Sequence, residues 1–310
     1  ICCDALEAAR DYFAAPDEVR RSSLAKDRAR RGYSPQGTEN FASLLGRKGP
    51  NDIVQKFRIG PDSSNGPGTT ATATDSNSTT ATTSSLDQPN TWPDAGVWDA
   101  DKVNFFKQSV MAYYSAMEKV GQAVLTAIVD GMLIENLEPA KECSKLLLSN
   151  EQSEQTTASI LTLLGYSGRG RRKARKKKQR KFRGNNGQDV RRLVAEHTDV
   201  GVVTILLFDG GDCAVLERLQ RTTADAPEVW QRVDLPKTVP GDPLLVVNIG
   251  DCLSDLSGGH LKSTVHRVIR DSGDTARHCL AHFIGFAPTA KLTIPLRPQP
   301  SPSATPSLSQ

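Results

Sequence analysis

The second half of the chain reads as a series of short β-strands, and this pattern limits the possible folds more than any other feature of the sequence. Beyond residue 156, seven or eight segments rich in Val, Ile and Leu are separated by Gly, Pro and Asp turns. Such spacing indicates an antiparallel sandwich or barrel. We expect the strands at 159–166, 190–196, 202–208, 213–218, 230–235, 244–249, 263–269 and 277–286.

The first half predicts helices instead. Apolar residues recur at helical spacing over 4–30 and over 101–134. We therefore expect an N-terminal helical region over 1–61, a second helical region over 91–150 and a β core over 156–296. The aromatic residues of the second helix are expected to pack in the core rather than to line a ligand site.

Three segments contain few of the large apolar residues that a core needs. Residues 63–85 contain 14 Ser or Thr, 169–183 contains 11 Lys or Arg and no acid, and 297–310 is rich in Pro and Ser. We expect a disordered insertion at 62–90, a basic insertion at 167–188 within the β core, and a disordered tail. About 245 residues remain without these segments, which suits one large domain.

Charge and hydropathy bear on the class of protein. The net charge of +4 becomes −7 without the 11 charges of the basic run, so the folded body is mildly acidic and its charge does not indicate a nucleic-acid-binding surface. No apolar stretch approaches the ~18 residues of a transmembrane helix.

The six cysteines show no CxxC spacing. We expect reduced thiols in a cytoplasmic protein, or a nuclear one if the basic run acts as a localisation signal.

The chain begins at Ile1 and enters a helix-like pattern at once. We expect a sequence truncated at its start, with any targeting segment upstream.

Three residues of the β core could form a metal site. His197 and Asp199 lie two residues apart at the end of a predicted strand, so their side chains point to the same face. His266, on a later strand, is the best placed third ligand. Two imidazoles and one carboxylate on one face of an octahedron leave three positions open, which suits non-haem Fe(II) and its reaction with oxygen. An isolated HxD tripeptide is weak evidence, because a strand histidine is more often structural.

Another strand carries residues that could bind a carboxylate. Arg277 follows His266 by eleven residues and Cys279 by two more, so Arg277 and Cys279 should point to the same side of one strand. The planar guanidinium offers a fork that fits a carboxylate. Alone, Arg277 would more often be the partner of a surface salt bridge.

The order of these motifs resembles that of one family. HxD at 197–199 is followed by NxGD at 248–251, GGxLKSTxHRV at 258–268 and RxC at 277–279. This order is similar to that of the iron(II)- and 2-oxoglutarate-dependent dioxygenases of the isopenicillin N synthase-like group. The resemblance covers most of the chain outside the three polar segments, since YF at 12–13, RGY at 31–33, FRIG at 57–60 and LTLLGYS at 161–167 are also similar.

The resemblance implies a double-stranded β-helix, a jelly-roll barrel, for the core at 156–296. It also implies an enzyme that uses O2 to hydroxylate, desaturate or cyclise a small organic substrate, with release of succinate and CO2. The implied ligands are His197, Asp199 and His266 for iron, and Arg277, Tyr166 and Cys279 for the 2-oxoglutarate carboxylate. Some relatives use no 2-oxoglutarate and draw electrons from the substrate or from ascorbate. Because they keep the same Arg, Arg277 favours 2-oxoglutarate without proving it.

The chain departs from the family pattern at three places, two of which concern the co-substrate site. Cys279 replaces the usual Ser, and a thiol is a poorer hydrogen-bond partner for a carboxylate. Ser167 stands where the family has Pro after the Tyr, and Leu164 where it has a polar residue. The first strand of the family, before the N-terminal helix, is absent. These departures leave the expected iron ligands unchanged, although a thiol close to the iron could itself be oxidised.

Other polar residues of the core are rival ligands. By strand alternation, His278 and His282 face away from Arg277 and Cys279, and His260 lies in a Gly-rich turn. We therefore expect structural roles for these three histidines. Asp251 is expected to stabilise its turn.

Two alternatives to the enzyme remain open. The basic run at 169–183 could bind phosphate backbones or serve as a nuclear localisation signal, but its single aromatic residue, Phe182, makes base recognition unexpected. It could equally be a solvated insertion of low functional content. The chain could also be a catalytically silent relative of the family that serves as an interaction module.

For the enzyme, we expect a monomer that binds a small molecule and O2 and does not bind a membrane.

Overall fold

The structure is a computed structural model whose described residues form helices and strands in the expected order. It describes residues 1–26, 30–41, 49–61, 89–135, 137, 140–141, 143, 159–168, 182–183, 189–220, 229–234 and 243–286. The helices are α1 (Cys2–Ala14), α2 (Asp17–Ser22), α3 (Ala100–Ile134) and α4 (Asp251–Leu256). The strands are β1 (Gly32–Ser34), β2 (Gln55–Ile59), β3 (Ile160–Tyr166), β4 (Phe182–Arg183), β5 (Asp189–Val190), β6 (Arg192–His197), β7 (Val203–Phe208), β8 (Ala214–Gln220), β9 (Val229–Arg232), β10 (Leu245–Ile249), β11 (His266–Arg270) and β12 (Arg277–Ile284). All eight predicted strands are present, with ends that differ by a few residues.

Antiparallel pairing builds two main sheets. The larger has the order β1-β2-β3-β12-β7-β10, and the smaller has the order β6-β11-β8-β9. Leu206 from the larger sheet shares a buried cluster with Leu193 and Leu216 from the smaller sheet. This cluster fills the space between the sheets. The arrangement is the jelly-roll core that the family resemblance implies.

Helices α1 and α3 cover the outer face of the larger sheet. Phe13 of α1, Phe106 and Tyr113 of α3 and Leu280 of β12 belong to one buried cluster on that face. Cys279, next to Leu280, belongs to the cluster between the sheets instead, as strand alternation requires. The aromatic residues of α3 therefore pack in the core, as expected.

The N-terminal region is less helical than the sequence predicts over 1–61. The single helix expected over 4–30 is two helices, because α1 ends before Pro16 and α2 begins directly after it. Proline has no N–H to donate and its ring clashes within a continuous helix. In addition, β1 and β2 extend the larger sheet, with β2 paired to β3 along its length.

The sequence of β2 explains why periodicity did not predict it as a strand. Phe57 and Ile59 face the helices, so Lys56 and Arg58 face the opposite side of the sheet. Charged residues at these positions hide the alternation that indicates a buried strand. Both cations donate hydrogen bonds to the carboxylate of Glu39, which makes their burial possible.

Several expectations fall on residues outside the described ranges. Residues 62–88 of the insertion at 62–90, most of the basic insertion at 167–188 and the tail at 297–310 lie there, and they stay predictions. Within the described part of the chain, we find no helix with the length and low polarity that a membrane crossing requires.

The close contact between α1 and β3 gives a test of the fold. A Cβ atom at Gly165 would lie 2.8 Å from Cγ of Phe13. We therefore expect Gly165→Val to push the Phe13 ring from the sheet and to lower the free energy of unfolding by about 1–3 kcal/mol in chemical denaturation. Gly131→Ala in α3 is the control, since a Cβ there meets no atom within 4 Å, and it should stabilise the protein by up to about 1 kcal/mol. Unchanged stability of Gly165→Val would contradict the packing described.

Candidate metal centre

Two paired strands bring the three predicted metal ligands together. His197 ends β6, His266 begins β11, and the two residues pair directly across these antiparallel strands. Their imidazole centroids lie 4.2 Å apart. Asp199 follows in the loop after β6, and one ligand atom from each of the three residues lies within 4.8 Å of the others. The structure thus assembles the set that the HxD spacing and His266 indicated.

Backbone hydrogen bonds select the histidine tautomers. The Nδ1 atoms of His197 and His266 lie 2.8 Å and 3.0 Å from the carbonyl oxygens of Ala195 and Thr264. Because a carbonyl oxygen only accepts, each Nδ1 carries the hydrogen and each Nε2 keeps its lone pair for a metal. The two Nε2 atoms lie 4.0 Å and 3.8 Å from Oδ1 of Asp199. Ligands that each bind one ion at about 2.1 Å are at most about 4.2 Å apart, and both distances between an imidazole and Asp199 meet this limit.

Polar neighbours orient the carboxylate of Asp199. The side-chain amide of Asn248 in β10 donates to Oδ2 at 3.2 Å, which leaves Oδ1 toward the imidazoles. The backbone carbonyl of Asp199 accepts the N–H of Asp251 at 2.7 Å. The carboxylate of Asp251 accepts the hydroxyl of Thr198 at 2.9 Å. Asp251 therefore stabilises the loop that carries the ligand, in line with the role predicted for it.

The ligand side chains are largely withdrawn from water. His197, Asp199 and His266 expose 12%, 4% and 10% of their side chains. Burial, reinforced by the neighbouring His266, lowers the pKa of His197 to about 4. His197 is therefore neutral near pH 7, and its Nε2 can bind a metal without first losing a proton.

Arg277 is held at the edge of the cluster between the sheets. It pairs with Tyr166 across β12 and β3, its guanidinium carbon lies 4.4 Å from the ring centroid of Phe208, and Nη1 donates to the carbonyl of Ala214. Nε is buried and has no hydrogen-bond partner among the described residues. A guanidinium that is fixed by a ring and a carbonyl, with a buried donor left over, fits an incoming carboxylate.

Tyr166 and Cys279 share that cluster. Burial raises the pKa of the Tyr166 phenol well above its usual range and raises the pKa of the Cys279 thiol to about 12. Both groups are therefore neutral near pH 7 and can donate to a carboxylate without repelling it.

The rival histidines lie elsewhere. His278 is on the helix side of β12, where Nδ1 lies 2.7 Å from a carboxylate oxygen of Asp209. His282 is on the same side, with Nε2 2.5 Å from the carboxylate of Glu118 in α3. His260 is exposed in the loop after α4. His278 and His282 thus have carboxylate partners on the helix side, and none of the three histidines belongs to the cluster of His197, Asp199 and His266.

The sequence did not indicate one aromatic residue at the site. The ring centroid of Phe41 lies 4.7 Å from that of His197, although Phe41 belongs to the N-terminal region. Asp52, just before β2, accepts hydrogen bonds from the backbone N–H groups of Phe41 and Ala195. The only signal in the sequence is this Asp before an apolar segment, and such residues are common in turns.

The lowered pKa of His197 predicts how the metal-free protein responds to acid. An unfolded chain protonates this imidazole near its ordinary pKa of 6.5, whereas the folded chain does so only near pH 4. Between these values the unfolded state binds more protons, so stability should fall as the pH falls. Urea denaturation with a chelator present, at several pH values, measures this.

His197→Gln is the matched variant, because it keeps a neutral polar side chain that does not titrate. We expect the loss of stability between about pH 6.5 and pH 4 to be smaller in His197→Gln than in the native chain. Identical pH profiles would contradict the lowered pKa.

Comparison with known proteins gives a match to one family model over part of the chain. Residues 175–286 match the model of the 2OG-Fe(II) oxygenase superfamily. This stretch contains all three predicted iron ligands together with Arg277 and Cys279, whereas Tyr166 precedes it.

Curated relatives match over a longer part of the chain. The 2-oxoglutarate-dependent dioxygenase traH of Penicillium crustosum is 28% identical over 274 residues, which cover 86% of this chain and 64% of that protein. The 2-oxoglutarate-Fe(II) type oxidoreductase ppzD of Metarhizium rileyi is 26% identical over 297 residues, which cover 92% of this chain and 68% of that protein. This chain therefore spans slightly less than two thirds of the first relative and slightly more of the second.

Solved structures share the fold. A 2OG-Fe(II) oxygenase family protein from Caulobacter crescentus superposes with a TM-score of 0.55 at 26% identity, over 91% of this chain and 72% of that chain. A full-length Neurospora crassa protein in complex with alpha-KG superposes with a TM-score of 0.56 at 23% identity, over 91% of this chain and 70% of that chain, and shows the fold alone. These comparisons do not test the isopenicillin N synthase-like group, which stays a prediction. The matched region, the curated relatives and the jelly-roll core agree that residues 175–286 carry a domain of the 2OG-Fe(II) oxygenase superfamily.

Proposed function

We propose that the chain is an oxidoreductase that uses Fe(II), O2 and 2-oxoglutarate to hydroxylate, desaturate or cyclise a small organic substrate, with release of succinate and CO2. The convergence of His197, Asp199 and His266 in a buried site carries the proposal. Two imidazole lone pairs and one carboxylate oxygen suit Fe(II) with positions left open. The dioxygenase relatives support the same reaction class.

Each group at the site has a separate task in this proposal. Bound iron and 2-oxoglutarate supply an oxidant strong enough to break an unactivated C–H bond. Arg277 binds the distal carboxylate of 2-oxoglutarate through charge-assisted hydrogen bonds. Tyr166 and Cys279 add neutral donors, and the apolar cluster between the sheets limits the access of water.

We also propose that the chain acts as a monomer in a reducing compartment, with the cytoplasm as the first candidate. Cys2, Cys3, Cys213, Cys252 and Cys279 are free thiols, which is the usual state of thiols in the cytosol. A nucleic-acid-binding or nuclear role of the basic run at 169–183 stays an untested alternative.

Anaerobic titration with Fe(II) in the presence of 2-oxoglutarate tests the main proposal. Chelation of 2-oxoglutarate by iron gives a weak charge-transfer band in the visible spectrum. We expect this band in the native chain and not in His197→Ala, which lacks one ligand. His260→Ala is the matched control, because His260 is exposed and lies outside the ligand cluster, and it should keep the band.

Two results would change the assignment. Iron binding without the band would favour the relatives that work without 2-oxoglutarate. A native chain that binds no iron would overturn the enzyme proposal and favour a silent interaction module.

Substitutions at the carboxylate-binding residues test the co-substrate site. A serine hydroxyl is a stronger donor than a thiol, so Cys279→Ser should lower the Kd for 2-oxoglutarate by about three- to tenfold. Arg277→Met removes the cation and should raise the Kd by at least about tenfold. Both values come from titration of the Fe(II)-loaded protein, followed through the same band. If neither variant changes the Kd, the carboxylate of 2-oxoglutarate binds elsewhere.

A further inference from the structure

A side chain from outside the matched family region contacts the metal centre. The Phe41 ring and the His197 imidazole have centroids 4.7 Å apart and planes inclined by 29°. His197 therefore has a ring neighbour in Phe41 as well as in His266. Phe41 lies in the segment before β2, more than a hundred residues before the region that matches the superfamily.

Hydrogen bonds attach the backbone of Phe41 to the strand that carries His197. The carboxylate of Asp52 accepts the N–H of Phe41 at 3.0 Å and, through its other oxygen, the N–H of Ala195 at 3.1 Å. Ala195 also supplies the carbonyl that holds Nδ1 of His197. One buried carboxylate thus connects the segment of Phe41 to the position of the ligand.

A buried ion pair holds the ring itself. Nζ of Lys56 lies 4.1 Å from the ring centroid of Phe41 and 2.7 Å from a carboxylate oxygen of Glu39. The side chain of Lys56 is 2% exposed and that of Glu39 is 9% exposed. Buried charges are stable only in a defined paired geometry, and a cation at this distance from an aromatic ring attracts it. Phe41 therefore has little freedom to move away from His197.

We propose that Phe41 is a positioning residue for the metal ligand His197. The hydrogen bond from Nδ1 to Ala195 fixes where one edge of the imidazole points, but it restricts the tilt of the ring only weakly. Stacking against Phe41 restricts that tilt, so that the Nε2 lone pair stays directed at the metal. The inference rests on the proposed iron site, and it makes the N-terminal region part of the metal centre.

Fe(II) binding to the metal-free protein under anaerobic conditions tests the role of Phe41. Loss of a residue that orients a metal ligand typically costs between ten- and a hundredfold in affinity, so we expect Phe41→Ala to raise the Kd for Fe(II) by about tenfold. Phe41→Tyr retains the aromatic ring, so this variant should bind Fe(II) with the Kd of the native chain. With 2-oxoglutarate added, the charge-transfer band of Phe41→Ala should be shifted or broadened, because the imidazole is no longer held at one tilt.

A second phenylalanine–histidine stack provides the matched control. Phe13 and His278 have centroids 5.8 Å apart and planes inclined by 17°, on the helix side of the larger sheet and away from the ligands. Phe13→Ala should lower the thermal stability without changing the Kd for Fe(II). Phe41→Leu, which keeps apolar volume but has no flat ring, should resemble Phe41→Ala and replaces it if the alanine variant does not fold.

The outcomes separate this inference from the proposed function. If folded Phe41→Ala or Phe41→Leu binds Fe(II) with the Kd of the native chain, the positioning role is overturned. The proposed function is unaffected by that result. A native chain that does not bind Fe(II) overturns the proposed function, and the positioning role with it.

Discussion

The antiparallel pairing of β6 with β11 places His197 directly across from His266. Because strand side chains alternate between faces, a shift of one residue in this register would turn one imidazole away from the other. The register is held on the far side of β11 by its pairing with β8. It is also held at the ligand end, where Asp251 and Thr198 fix the loop that carries Asp199. The metal site is therefore a consequence of strand pairing. Asn248 from the larger sheet orients the carboxylate of Asp199 through a hydrogen bond.

Sequence patterns predicted the parts of the fold that follow simple periodicity. Strand β3 and the strands from β6 to β12 follow the patterns expected of strands, and α3 shows an apolar stripe, so the sequence predicted that they exist and roughly where they end. The HxD spacing predicted that His197 and Asp199 lie together, but Asp199 follows the end of β6, so hydrogen bonds of the loop to Asp251 hold it there instead of strand alternation. By contrast, β2 carries Lys56 and Arg58 at interior-facing positions, and the burial of these cations depends on Glu39, a partner distant in sequence.

Contacts between distant segments account for what the sequence could not predict at the site. Phe41 reaches His197 because Asp52 binds backbone groups of two segments that are far apart in sequence. No local pattern encodes such a contact, since it arises only when β2 joins the larger sheet beside β3. The same pairing that periodicity failed to predict thus brings the N-terminal region to the metal ligands. This explains why residues outside the matched stretch at 175–286 contribute to the site.

The charges of the site are suited to a ligand with two carboxylates. Fe(II) together with the Asp199 carboxylate would carry a net charge of +1, since burial keeps His197 neutral, and Arg277 adds a second positive charge. Tyr166 and Cys279 contribute none, because burial raises both pKa values far above 7. A dianion that reaches from the metal to Arg277 would balance these charges in a largely apolar interior, where an unbalanced charge is costly. 2-Oxoglutarate is such a dianion, and the neutral thiol of Cys279 preserves this balance where a thiolate would not.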